Sequence, residues 1–160
     1  MAQPATISPR IVEALYCEAL VLADEVRSAF DEFLRNGNDR DGDNLACIAL
    51  SCEALRTNTR MMHALAWLLN QRAYFNGELT EFQLLRQGRL NETYPPADAQ
   101  RLDLIEPETR TLILATERFY ARLVRMDRGW RQKEAKAPTP IAHLQQRLGI
   151  VAAPSEAVRL

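Results

Sequence analysis

The chain has 160 residues, 47% of them apolar and 26% charged, with a net charge of −1. That is one ordinary domain with enough apolar material for a core, and it lacks the global field that draws nucleic acid or an anionic membrane. Six glycines, two histidines and three cysteines leave little with which to build a phosphate loop, a histidine metal site or a disulfide framework.

Met1 to Arg10 holds Pro4 and Pro9 and no apolar run, so it does not read as a secretory leader. Ser8-Pro9 reads as an N-cap followed by the first helical residue. Val12, Leu15, Ala19, Leu22, Val26, Ala29 and Phe33 then recur at alternating spacings of three and four, which predicts a helix to Leu34 about 39 Å long. The polar cluster Arg35 to Asp43 ends it as a loop.

A second helix is predicted from Asp43 or Asn44 to Asn76-Gly77. Its stripe is Leu45, Ile48, Cys52, Leu55, Thr59, Met62, Ala66, Leu69 and Ala73, expected to face the core. A shorter helix is predicted from Thr80 to Leu90, with Phe82 and Leu85, and as an alternative Leu84, on its apolar side. Asn91 to Glu106, interrupted by Pro95-Pro96, reads as a long connection with one turn around Ala97 to Leu102. Pro107 opens the last long helix, whose stripe is Leu112, Thr116, Phe119, Leu123, Met126 and Trp130. Pro138 and Pro140 stop it. The expected tail, residues 138–160, carries the apolar turn Ile141, Leu144 and Leu148.

These elements predict an all-α fold: an antiparallel three-helix bundle over residues 1–137, with a short extra helix after the second and a flexible C-terminal tail. Charge fits that pairing. Residues 1–44 hold nine acidic and four basic groups, and residues 108–136 eight basic and four acidic. The run Arg118, Arg122, Arg125, Arg128 and Arg131 therefore reads first as solvated or internally paired charge, and second as a surface for an acidic partner. Arg60 and Arg72 are expected to pair with Asp127 or Glu53 across the bundle.

Met61 to Leu69 is apolar around more of the helix than two neighbours can cover. Met61, Leu65 and Leu68 form one stripe beside the core stripe, and His63, Trp67 and Tyr74 lie on another. A helix apolar nearly all round is buried nearly all round. Either the short helix folds back over it or a second copy of the chain does, and a two-fold homodimer is the commoner solution. Met61, Leu65, Trp67 and Leu68 are the candidates for that dimer or core-edge surface. Trp67 reads as a packed anchor, and His63 as structural or exposed.

No catalytic, cofactor-binding or metal-binding set is predicted. Neither His63 nor His143 follows a Glu at helical metal-site spacing. Cys47 and Cys52 are about 140° apart on a helix and share no face. Acidic residues are missing from the predicted core stripes. No apolar run reaches the roughly 20 residues that span a bilayer. The expectation is a non-enzymatic cytoplasmic protein with reduced thiols.

Glu53-Ala54-Leu55-Arg56-Thr57-Asn58-Thr59-Arg60-Met61-Met62, then Ala66 to Ala73 and Gly77-Glu78-Leu79-Thr80, resembles the central helix and turn of the RcdA family, regulators of CtrA degradation. Thr116 to Asp127 resembles that family's last helix, with Phe119 and Met126 where the family often has Leu. The resemblance implies a three-helix-bundle homodimer without enzymatic activity or cofactor. It implies an adaptor that delivers cell-cycle regulators such as CtrA to the protease ClpXP. Its partners would be the ATPase ClpX, a receiver-domain protein that primes the protease, and the cargo, with concentration at a cell pole. Arg118, Arg122 and Arg125, with Ile141, Leu144 and Leu148 in the tail, are the candidate partner surface. Two other classes stay open: a homodimeric scaffold in another signalling pathway, and a ligand-binding protein with a pocket lined by Trp67, Tyr74 and Phe119.

Overall fold

The structure, a computed structural model, describes residues 7–37 and 44–136. The described residues form five helices and no strand: α1 (Pro9–Gly37), α2 (Asn44–Phe75), α3 (Glu81–Gln87), α4 (Ala99–Leu102) and α5 (Pro107–Lys136). The expected tail with Ile141, Leu144 and Leu148, His143, and most of the predicted Arg35 to Asp43 loop lie outside them.

The ends follow local chemistry. Ser8 caps α1 by accepting the Ile11 N–H at 3.4 Å. After α2, Gly77 takes a φ of 77°, which glycine enters without a Cβ penalty. That turn lets the Glu78 and Leu79 N–H groups reach the Ala73 carbonyl at 2.8 and 3.3 Å. Thr80 and Gln83 then form a reciprocal capping box for α3. The Asp98 carboxylate accepts from Gln100 and Arg101 N–H and starts the single turn of α4. Pro107 opens α5, where its missing N–H costs nothing.

The three long helices contact one another pairwise. Directions follow from residue pairings. Val26 and Phe30 of α1 share a cluster with Leu50 of α2 and Ile113 of α5. At the other end, Val12, Leu15 and Ala19 cluster with Met61, Leu68, Phe119 and Leu123. So α1 runs antiparallel to both partners. Between α2 and α5, Arg60 meets Thr116 at 3.0 Å and Trp67 meets Asp127 at 3.0 Å. Both numbers rise together, so α2 and α5 run parallel. The all-antiparallel expectation is corrected here. The cause is the connection, residues 76–106, which can extend to roughly 100 Å, while α2 is only about 48 Å long. The chain returns over the whole of α2 before α5 begins.

That return is a strap laid along the α2–α5 seam. Its contacts climb steadily. The Leu85 carbonyl accepts from Arg131 at 2.9 Å, and the Leu90 N–H donates to Asp127 Oδ2 at 3.4 Å. The Asn91 carbonyl accepts from the Tyr120 hydroxyl at 3.0 Å. Tyr94 donates to the Arg56 carbonyl at 3.1 Å, the Ala97 N–H donates to Glu117, and the Asp98 N–H donates to Glu53 at 3.4 Å. Leu102 and Ile105 then enter the core beside Leu50.

The stripes predicted for α1 and α5 face inward, with Val12, Leu15, Ala19, Val26, Thr116, Phe119 and Leu123 buried. The α2 stripe is a helix face, but the opposite one. Leu45, Ile48, Leu55, Met62 and Leu69 are 72, 52, 70, 68 and 47% exposed. The inner face carries Leu50, Glu53, Thr57, Arg60, Ala64, Leu68 and Gln71 instead. Glu53 sits inward where it accepts from the strap's Asp98 N–H, and Arg60 where it donates to Thr116 and Glu117 of α5, because buried polar groups need partners.

Candidate interaction surfaces

Glu53, Arg60 and Asp127 have structural partners, whereas the buried Thr57 Oγ1 and Gln71 Nε2 have none among the described residues. The fully buried Glu53 carboxylate accepts from the Asp98 N–H and lies 3.5 Å from the Arg101 guanidinium. Arg60 donates to Thr116 Oγ1 at 3.0 Å and to Glu117 Oε1 at 3.1 Å, with its guanidinium 5.4 Å from the Tyr94 ring centre. Burial pulls the Arg60 guanidinium below its ordinary pKa, and Glu117 opposes that shift. Asp127 accepts from Trp67, from Leu90 N–H and from Arg131. Arg72 pairs with Glu13 of α1 at 2.6 Å. The expected pairing of Arg60 and Arg72 with Asp127 or Glu53 is thus corrected to Glu117 and Glu13. The expectation that acids stay out of the core is corrected by Glu53 and Asp127, both buried.

The arginine run on α5 divides by partner. Arg122 pairs with Glu18 of α1 and lies over the Phe119 ring. Arg128 pairs with Glu92 at 2.8 Å and holds that carboxyl below its usual range. Arg131 pairs with Asp127 at 3.0 Å. Arg118 and Arg125 are exposed and make no ion pair among the described residues. Seven residues apart, they share one side of α5. Arg118 borders a groove of about 590 Å³ between α1 and α5, floored by Leu22 and Phe119. Arg125 borders a cleft of about 290 Å³ beside Tyr94, Pro95 and Pro96.

The candidates for a dimer or core-edge surface lie in the chain's own core cluster. Met61, Trp67 and Leu68 are buried within the chain, and Leu65 is half-buried against the same cluster. The apolar surplus of α2 is real, but it lies on the Leu45-to-Leu69 side. Residues far apart in sequence conceal this. Only the strap and α5 together show why Glu53 and Arg60 face inward.

The three residues expected to line a ligand pocket, Trp67, Tyr74 and Phe119, differ in setting. Trp67 and Phe119 are packed in one core cluster, while Tyr74 is half-buried with its ring 6.3 Å from that of Trp130. Among the described residues no group of three or more His, Cys, Asp or Glu side chains could hold a metal ion. Cys17 is exposed, Cys47 and Cys52 are half-buried, and all three are free. His63 is exposed, 6.2 Å from the Tyr94 ring centre. No described helix is long and apolar enough to cross a membrane.

Residues 3–151 match a family described as "Protein of unknown function (DUF1465)". No curated protein and no solved structure matches the chain. The match covers most of the chain, which belongs to the DUF1465 family.

Proposed function

We propose that this member of the DUF1465 family is a homodimeric, non-enzymatic adaptor of the RcdA type, built on a three-helix bundle of mixed direction. It would act in the cytoplasm, and at a cell pole, by delivering cell-cycle regulators to ClpXP together with a receiver-domain primer. The observation that carries this reading is where the resemblance falls. Glu53, Arg60, Thr116, Glu117, Tyr120 and Asp127 lie inside the segments that resemble the RcdA family; Glu53, Glu117, Tyr120 and Asp127 hold the strap, and Arg60 ties α2 to Thr116 and Glu117 of α5. The shared residues thus maintain a rigid body, which suits a protein that works by presenting surfaces.

The partner surface would be Arg118 and Arg125, together with the expected tail residues Ile141, Leu144 and Leu148, which lie outside the described residues. Ion pairs to Glu18, Glu92 and Asp127 occupy Arg122, Arg128 and Arg131, so Arg122 moves from that surface to the α1–α5 contact. Weak charge-steered contacts with acidic partners would suit repeated capture and release.

The test is capture of purified ClpX and of the receiver-domain protein by the full-length chain. Capture is expected, and Arg118→Glu with Arg125→Glu should weaken it about tenfold or more while leaving the thermal midpoint unchanged. No capture of either protein by the wild type would move the reading to the homodimeric scaffold, which needs the same rigid body and no protease.

A further inference from the structure

We propose that the outward face of α2 (Leu45, Ile48, Cys52, Leu55, Met62 and Leu69) pairs antiparallel with the same face of a second copy, about a two-fold axis near Thr57. This deepens the homodimer part of the functional reading and rests on that part alone. Delivery to a protease does not enter it.

Continuity comes first. The six residues recur at spacings of three, four or their sum over α2, giving a seam about 36 Å long that winds by about 20° per heptad, as in a left-handed coiled coil. α3 and α4 both touch α2, yet leave Leu45, Leu55 and Met62 more than two-thirds exposed. With a helix width of about 10–12 Å, the strip covers about 400 Å² in plan on each copy. That is as large as the largest apolar patch of a typical monomer. Side chains project above the plan, so two copies meeting there approach the roughly 1,200 Å² at which specific interfaces begin.

Charge permits self-pairing. Glu53 is the sole acidic side chain of α2, and it is fully buried on the other side. An axis near Thr57 places His63 beside Ala49 of the other copy and brings the two Arg56 side chains to the same flank of the seam, about 3 Å apart along the helices. The Arg56 guanidinium is already turned to the Pro96 carbonyl at 3.1 Å.

Size sets the direction. In this register Ile48 meets Ala66, Met62 meets Cys52 and Leu55 meets Thr59, large against small, and the end pair Leu45 and Leu69 alone sets two large side chains at one level. A parallel in-register pair would set each side chain against itself and stack large on large. The hydroxyls also tolerate burial: Thr59 Oγ1 donates to the Leu55 carbonyl and Ser51 Oγ to the Cys47 carbonyl, both at 2.8 Å.

The test is sedimentation equilibrium of the full-length chain. The wild type is expected to dimerise. Leu55→Asp, which brings two carboxylates to about 6 Å apart along the axis, should raise the dimer dissociation constant about thirtyfold or more. Val21→Asp, on the exposed part of α1, should leave it unchanged, with helical content retained in both. A dimer that survives Leu55→Asp overturns this face and spares the homodimer reading. A wild-type monomer at all concentrations overturns both. Direction is read by oxidation. With Cys17, Cys47 and Cys52 replaced by alanine, Leu55→Cys with Thr59→Cys should give an inter-chain disulfide. With Cys52 restored as the lone cysteine, none should form, because its two copies lie about 15 Å apart along the axis. Cross-linking through Cys52 alone overturns the register.

Discussion

Trp67 and Asp127 bind each other across the α2–α5 contact, the indole Nε1 donating to Oδ1 at 3.0 Å. Both side chains are buried. The same carboxylate accepts the Leu90 N–H and the Arg131 guanidinium. One carboxylate therefore joins two helices and the strap, which is why a buried charge is tolerated: it is paired and hydrogen-bonded on both oxygens.

Asp127→Ala should cost about 3 kcal/mol in urea unfolding, because it strands the Trp67 indole, the Leu90 amide and Arg131 together. Trp67→Phe should cost less, about 1–2 kcal/mol. Equal costs for the two would contradict the carboxylate's role as a shared acceptor.

Glu117→Ala should loosen the strap before it loosens the helices. Glu117 accepts from the Ala97 N–H and pairs with Arg60. Hydrogen exchange at Ala97 should rise at least tenfold while exchange in the middle of α1 stays unchanged. Glu117→Gln, which keeps an acceptor for the amide, should restore part of that protection.

Burial pushes the Tyr120 hydroxyl above its usual 10.0. The proton is held more tightly in the folded chain than in the unfolded one. Its contribution to stability is thus fully present below pH 10 and is lost as pH rises through the raised folded value. Tyr120→Phe should flatten the alkaline decline above pH 10 and cost about 1 kcal/mol at neutral pH through the lost bond to the Asn91 carbonyl. An unchanged alkaline profile would contradict this.

Gly77 and Gly88 separate two roles of glycine. A Cβ on Gly77 would meet nothing within 4 Å, so Gly77→Ala pays only for its φ of 77°, about 1 kcal/mol. A Cβ on Gly88 would lie 2.8 Å from the Leu84 carbonyl oxygen and 2.9 Å from Leu84 Cδ1. Because Leu84 is buried, Gly88→Ala should cost more, about 2 kcal/mol. Thermal denaturation of the two variants gives the order.

Helix positions were legible from Ser8-Pro9, Gly77, Thr80 and Pro107, because caps and turns are local chemistry. The inward faces of α1 and α5 were legible because their apolar stripes have polar opposites. α2 carries apolar residues on most of its circumference, so spacing alone could not choose between Leu45–Leu69 and the Leu50–Arg60–Leu68 side. The deciding fact, that the strap and α5 lie over the second side and draw Glu53 and Arg60 inward, depends on contacts about forty residues or more apart along the chain. The same gap hid the parallel course of α2 and α5. Trp67 as a buried anchor was legible from its own chemistry, whereas its acceptor Asp127 was not.

The adaptor reading is tested most directly by the rate at which ClpXP degrades a CtrA-type regulator in the presence of the receiver-domain primer, with and without this chain. The expected result is faster degradation with the wild-type chain and loss of that gain with Arg118→Glu and Arg125→Glu at unchanged stability. A rate that does not respond to the wild-type chain at saturating concentration would contradict the adaptor function.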